Sequence, residues 1–145
     1  MVFVMSPRTT FLSRLIGLYC ILVSLYMVTH KQVTVEMVTT LVHAQPALFA
    51  VGLMGMTIGL AMVLGHNVWS GGTLPVVVTL VGWTAVAKSL LCLFLSPEAA
   101  SEFFLGWCRY EQLFYLYAGI SLLLGIYLIY GGLRSTARRA VSQKR

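Results

Sequence analysis

The stretch from Leu74 to Leu95, LPVVVTLVGWTAVAKSLLCLFL, decides the fold of this chain, because it contains a single charged residue, Lys88. In a helix, about twenty residues cross the roughly 30 Å of hydrocarbon in a bilayer. Comparable apolar stretches lie at 11–29, 47–64 and 113–133. Their apolar residues form continuous blocks rather than one face of a surface helix, which is typical of membrane spans.

The composition agrees with this interpretation. The 145 residues are 59% hydrophobic and 10% charged, with a mean hydropathy of +0.87, whereas soluble domains carry about 25% charged residues. A transmembrane barrel is disfavoured because it requires short segments of alternating hydrophobicity. We therefore predict one all-α integral membrane domain over 1–145, a four-transmembrane-helix bundle with spans at 11–29, 47–64, 74–95 and 113–133.

The placement of charge predicts the orientation. Arg8 and Arg14 lie near the start of the first span, and a basic tail, 134–145, follows the fourth. All the acidic residues lie in the two loops on the other side: Glu36, Glu98, Glu102 and Glu111. The positive-inside rule therefore makes both termini cytoplasmic. The basic tail could bind the headgroups of anionic lipids. We expect no nucleic-acid partner, because the four spans leave no residues for a folded basic domain.

The first fifteen residues, MVFVMSPRTTFLSRL, bear on the choice of membrane. They contain Ser, Thr and Arg but no acidic residue, as mitochondrial import sequences do. The segment is short and runs directly into a span, which favours a bacterial inner (plasma) membrane protein. A multi-pass protein of the mitochondrial inner membrane is the alternative.

Each half of the chain has the plan span, polar outer segment, span. With an offset of 65, LIGLYCILVSL from Leu15 aligns with LVGWTAVAKSL from Leu80, and the offset is 66 after the first helix. This pattern predicts two parallel two-helix repeats, although Leu- and Gly-rich helices also match by chance. The outer segments around Glu36 and after Ser96 predict short amphipathic interfacial helices, with Ser96 as an N-cap.

The stretch GHNVWSGG, 65–72, joins spans two and three on the cytoplasmic side. We interpret it as a turn in which His66 and Asn67 cap the second span, Trp69 anchors at headgroup depth, and Thr73 caps the third span. Contact with a lipid, a quinone or a partner is the alternative.

Lys88 is predicted about two turns below the outer end of its span, where a buried charge costs several kcal/mol. Its stem either snorkels outward or brings the ammonium to Glu36, Glu98 or Glu102. A role in proton or anion handling is the functional alternative to this structural one.

Small residues predict where helices approach closely. Gly55 and Gly59 form a GxxxG pair, and Ser121 and Gly125 form a similar pair in the fourth span. These residues serve either packing within the monomer or association with another chain. Cys20 and Cys92 are read as packing residues, and a Cys92–Cys108 disulfide is conceivable in an oxidising compartment.

No catalytic, cofactor or metal motif is recognised. The chain contains no Asp, no HExxH, no GxSxG and no Walker loop. Bis-histidine haem ligation requires two imidazoles at similar depth, but His30 and His43 are predicted on the opposite face from His66. We therefore expect no enzyme activity, no cofactor and no metal.

In the segments GLAMVLGHNVW and VTLVGWTAVAKSLL, the chain resembles small bacterial four-span integral membrane proteins with no assigned activity. The residues that carry this resemblance are Gly59, Gly65, His66, Asn67, Trp69, Gly82, Trp83 and Lys88. The resemblance implies the fold and a bacterial inner-membrane location, and it implies no chemistry.

Two candidate functions are consistent with these features. The first is a non-enzymatic accessory or assembly subunit of a larger inner-membrane complex, including an energy-transducing one, with other transmembrane subunits or a second copy as partners. The second is a small transporter or channel that uses Lys88, although polar groups at the predicted midplane are sparse.

Overall fold

The computed structural model describes residues 7–70, 72–107, 109 and 111–143. This part of the chain is helical without strands, and four of its helices are long and apolar enough to cross a membrane. The elements are α1 Pro7–Thr29, α2 Lys31–His43, α3 Gln45–Gly65, α4 Thr73–Phe94, α5 Pro97–Ser101, a π-helix Glu102–Trp107, and α6 Phe114–Gln143. The predicted all-α fold with four spans is confirmed.

The helix ends follow local rules in most places. Pro46 lies in the first turn of α3, where its missing N–H has no intrahelical partner to lose. Ser96 caps α5 as predicted, since its hydroxyl accepts the Ala99 N–H at 3.3 Å. Helix α6 continues past the predicted end of its span to Gln143, because the sequence after Gly132 contains neither Pro nor Gly.

We use two names for the ends of the bundle. The terminal face is where α1 begins and where the turn between α3 and α4 lies; the loop face carries α2, α5 and the π-helix. The spanning helices pack as two close pairs, α1 with α6 and α3 with α4. Contacts between the pairs are concentrated towards the terminal face.

Buried apolar side chains form three clusters. The central cluster joins α1, α4 and α6 and consists of Ile16, Leu74, Val78 and Leu128, with Met62 of α3 packed against it. Two separate clusters lie towards the loop face. One joins α1 and α6 and consists of Met27, Phe114 and Ala118; the other joins α3 and α4 to α2 and α5 and consists of Val42, Leu48, Cys92 and Ala100. The pairs thus share a core near the terminal face and have their own cores near the loop face.

Candidate functional site

Two glycines, Gly17 and Gly125, lie against each other where α1 crosses α6. A Cβ on Gly125 would lie 2.8 Å from the Gly17 carbonyl oxygen and 3.1 Å from the Ile21 backbone nitrogen. A Cβ on Gly17 would lie 2.8 Å from the Gly125 carbonyl oxygen and 3.1 Å from the Ile129 nitrogen. Because the nearest atoms include backbone, the two helices could not keep this separation with any larger residue.

The α3–α4 pair is built in a similar way. Gly55 lies against the Ser89 side chain, and a Cβ on Gly59 would lie 2.9 Å from the Val86 backbone nitrogen. Gly82 provides the reciprocal contact, since its Cβ would lie 3.1 Å from Met62 Cβ. The predicted GxxxG pair therefore packs within the monomer.

The fourth predicted packing residue, Ser121, also lies at a contact between helices. Its hydroxyl donates a long hydrogen bond of 3.4 Å to the Cys20 carbonyl of α1. Together with Gly125, it places both members of the small-residue pair of α6 against α1. Cys20 and Cys92 are free thiols, and Cys108 lies outside the described residues.

Hydroxyl groups inside the spans are largely satisfied by the backbone of their own helix. Ser24, which is 1% exposed, donates to the Ile21 carbonyl at 2.9 Å, and Ser89 donates to the Ala85 carbonyl at 2.7 Å. Similar bonds connect Ser13 with Thr10, Thr57 with Leu53, and Thr84 with Val81. Because these hydroxyls already donate to carbonyls of their own helix, few of them remain to bind a ligand.

The turn between α3 and α4 differs from its predicted form. Gly72, with φ of 119°, is the N-cap residue of α4, and no side chain caps this end. The prediction that Thr73 caps α4 was wrong: its hydroxyl instead shares a 2.7 Å hydrogen bond with the Tyr127 hydroxyl of α6. Gly72 supplies the positive φ that lets the chain enter α4 without a capping side chain.

His66 is buried rather than displayed on this turn, with 4% of its surface exposed. It ends α3 through its backbone, whose N–H donates to the Met62 carbonyl at 2.7 Å. His66 thus caps the second span as predicted, through its backbone N–H, whereas the Asn67 side chain has another partner. The Asn67 side chain accepts the indole N–H of Trp69 at 2.7 Å, and Trp69 is exposed as expected for a headgroup anchor.

Thr79 of α4 holds the turn, a role that the sequence analysis missed. Its hydroxyl is 3.3 Å from the His66 carbonyl and 3.1 Å from the Val68 carbonyl, and it accepts the Val68 N–H at 3.1 Å. Thr79 is 1% exposed. Within the sequence it is one threonine in an apolar run, and nothing local indicates its partner.

Burial lowers the pKa of the His66 imidazole, and a hydrogen bond to the Pro75 backbone opposes this shift. Nε2 of His66 is buried without a hydrogen-bond partner in the part of the chain that the structure describes. The imidazole is therefore favoured in its neutral form.

Lys88 lies on an exposed part of α4, while Glu36 of α2 and Glu102 of the π-helix are also exposed. The ion pairing of Lys88 with these carboxylates stays a prediction. Glu98, at the start of α5, has a lowered pKa because its carboxylate accepts hydrogen bonds, first from its own backbone N–H and then from Ser96.

The two histidines of the loop face have local roles. His30 stacks on Tyr26 with ring centroids 4.8 Å apart, and His43 Nδ1 lies 2.7 Å from the Thr39 carbonyl oxygen. Within 7–70, 72–107, 109 and 111–143, no three His, Cys, Asp or Glu side chains are grouped so as to hold a metal ion.

A groove opens at the terminal face between the start of α1 and the end of α3. Its volume is about 260 Å³, and its lining is mostly apolar, with Arg8 as the one charged residue. The lining residues are Arg8, Phe11, Leu12, Ala61 and Gly65.

These features define a multi-pass helical membrane protein. No protein-family model matches the chain, and no curated protein or solved structure is significantly similar to it. The functional assignment therefore depends on the geometry of the molecule.

Proposed function

We propose that this protein is a non-enzymatic accessory or assembly subunit of a larger inner-membrane complex, energy-transducing complexes included. The observation that carries the proposal is the way polar groups are used inside the spans. The buried hydroxyls of Ser24 and Ser89 are bonded to their own helices, and Gly17 and Gly125 bring backbones into contact. The residues at the centre of the bundle therefore serve to pack the helices against each other, and the outer surface is the part that can bind another protein.

The outer surface is large and apolar. Over an 18-residue apolar stretch of each span, between 22% and 28% of the residues are fully buried in the monomer, so each helix also presents a broad face to lipid or to another transmembrane chain. Large exposed side chains include Tyr19, Met54, Leu64 and Leu123. In lipid, such surfaces associate by van der Waals fit rather than by the hydrophobic effect, so partners are other transmembrane subunits or a second copy.

The orientation proposed from the charges makes the terminal face cytoplasmic. Arg8 lies at this end of α1 and Arg134 at the end of the α6 span, and both are exposed. The acidic Glu36, Glu98 and Glu102 belong to the loop face. This distribution supports the positive-inside assignment and contact of the basic tail with anionic lipid. The proposed bacterial inner membrane rests on the short N-terminal segment that runs directly into the first span.

We also propose that the two halves are a parallel internal repeat. Glycine contacts correspond in pairs under the offsets of 65 and 66: Gly17–Ile129 and Gly125–Ile21 between α1 and α6, and Gly82–Val63 and Gly59–Val86 between α4 and α3. A polar contact follows the same rule, since Arg14 donates to the Gly132 carbonyl and Thr79 to the His66 carbonyl, both at 3.3 Å. Contacts and sequence offsets thus support the same relation.

The repeat predicts that equivalent contacts tolerate exchange. The double variant Ile21→Val with Val86→Ile should retain the stability of the wild type, because each residue enters the same kind of glycine contact. An unfolding free energy lowered by more than about 1.5 kcal/mol, the usual limit for volume-conserving swaps, would argue against equivalence.

The accessory function is tested by purifying the tagged protein from its native membrane in a mild detergent, followed by mass spectrometry. Stoichiometric recovery of larger membrane subunits is the expected result. Recovery of a homo-oligomer free of other proteins, from cells that require this protein for normal growth, would refute the proposal.

A small transporter or channel is the second candidate, favoured by the exposed Lys88 within the α4 span. If Lys88 handles ions or protons, Lys88→Met should abolish cellular activity while abundance and assembly stay normal. Lys31→Met is the control, because Lys31 lies on α2, outside the spans, with its ammonium 4.9 Å from the Tyr115 ring. Normal activity of Lys88→Met would exclude this candidate.

A further inference from the structure

We propose that the groove between α1 and α3 at the terminal face binds one anionic phospholipid. The Arg8 guanidinium would hold the headgroup phosphate, and the apolar wall would hold the upper part of an acyl chain. This inference goes beyond the accessory function, and it concerns a place distinct from the basic tail.

The depth and chemistry of the groove suit such a lipid. Arg8 lies in the first turn of α1, at the boundary of the span, and is exposed. Phe11 and Leu12 continue the wall by one turn into the apolar zone. A guanidinium above an apolar wall matches a phosphate above an acyl chain, because Arg binds phosphate oxygens in a bidentate manner.

The equivalent place in the other half explains why a groove exists here. Under the offsets of 65 and 66, Arg8 and Ala61 correspond to Thr73 and Tyr127. Those two side chains meet in the 2.7 Å hydrogen bond between α4 and α6. With Arg8 and Ala61 in these positions, the gap between helices stays open and gains a positive charge.

A pair of equivalent glycines, Gly131 and Gly65, shows the same difference between a closed and an open end. A Cβ on Gly131 would lie 2.7 Å from the Leu74 side chain, which covers this glycine. Gly65, its counterpart, has no atom within 4 Å of such a Cβ. The α4–α6 end is thus closed by Leu74 and Tyr127, and the α1–α3 end is an open surface.

An anionic phospholipid is favoured over a partner helix as the occupant. The volume of about 260 Å³ suits a headgroup with the first carbons of a chain, and a helix is about 10 Å wide. The charge is positive and lies at the end of its span, where basic residues attract the phosphates of anionic lipid.

The proposal is tested on the purified full chain by native mass spectrometry, with titration by phosphatidylglycerol and by phosphatidylcholine. We expect one phosphatidylglycerol to bind more tightly than any phosphatidylcholine. Arg8→Gln should weaken this binding about five-fold or more, because it removes the guanidinium that contacts the phosphate directly. Ala61→Tyr should weaken it to a similar degree by introducing the side chain that fills the equivalent place.

Matched controls separate the groove from general surface charge. Arg134→Gln removes one exposed charge from the same face, outside the groove, and should change the affinity less than about two-fold. Gly65→Leu repeats the steric test independently should Ala61→Tyr fail to fold, as judged by circular dichroism and elution from a sizing column.

Three results would overturn the proposal. The first is equal weakening by Arg134→Gln and Arg8→Gln, which would indicate surface charge alone. The second is unchanged affinity in every folded variant with a filled groove. The third is full displacement of the lipid by excess inorganic phosphate, which would assign Arg8 to a free anion.

Discussion

Substitution of Gly125 by Ala is the sharpest test of the fold. The added methyl would lie 2.8 Å from the Gly17 carbonyl oxygen and 3.1 Å from the Ile21 nitrogen. Ordinary van der Waals contact of a Cβ begins at 3.4 Å, so α1 and α6 would have to separate by roughly 0.5–0.6 Å. Side-chain rotation cannot relieve a contact with backbone atoms, and the helices themselves must move.

The size of the effect follows from the contacts that such a movement weakens. A gap of about 0.5 Å forfeits roughly a quarter of a well of ~0.1–0.2 kcal/mol per atom pair, and a buried aliphatic side chain makes about 40–60 such pairs. Weakening the equivalent of one such side chain costs about 2 kcal/mol. This agrees with the ~1–3 kcal/mol typical of overpacked cores.

The control lies on the same helix. A Cβ on Gly119 meets nothing within 4 Å, so Gly119→Ala should be neutral or stabilise α6 by up to about 1 kcal/mol through helix propensity. Unfolding free energies would be measured by titrating SDS into mixed micelles. If Gly125→Ala proved as stable as Gly119→Ala, the close crossing of α1 and α6 would be refuted.

The double variant Gly17→Ala with Gly125→Ala sharpens the test. Once the first methyl has separated the helices, the second requires little further movement. We therefore expect the double variant to lose clearly less stability than the two single losses added together. Additive losses would mean that the two glycines do not share one contact.

Two further predictions concern the turn between α3 and α4. Thr79→Val should cost about 1–3 kcal/mol, because it removes the buried hydrogen bond to the His66 carbonyl and the partner of the Val68 N–H. Thr84→Val is the control, since the exposed Thr84 bonds only its own helix, and equal losses would contradict the assigned role of Thr79. The lowered pKa of His66 predicts a pH dependence, because the unfolded chain binds the proton more readily. Stability should be complete above the unfolded pKa of about 6.5 and should decline as the pH falls towards the folded pKa. Unfolding measured across this range should show the decline in the wild type and a smaller one in His66→Gln, and identical profiles would remove His66 as its source.

The sequence determined the spans and the local helix ends because these depend on neighbouring residues. A run of about twenty apolar residues must satisfy its backbone hydrogen bonds as a helix in lipid, which is why α3 and α4 lie within a few residues of their predicted positions. Ser96 could be recognised as a cap from the three residues that follow it. The extension of α6 beyond its span was missed because the prediction considered hydrophobicity alone.

Only the tertiary structure decided which helices pair and which side chain of the turn is buried. Glycines are present on all four spans, and lipid offers no hydrophobic preference for one apolar face over another. The pairing of Gly17 with Gly125 depends on the fit of two backbones separated by more than a hundred residues. His66 appears in the sequence as a polar turn residue, yet the distant Thr79 binds its carbonyl and its ring is buried beside Pro75 of α4. The groove beside Arg8 likewise follows from the small Ala61 on another helix, because the space between helices depends on both of its walls.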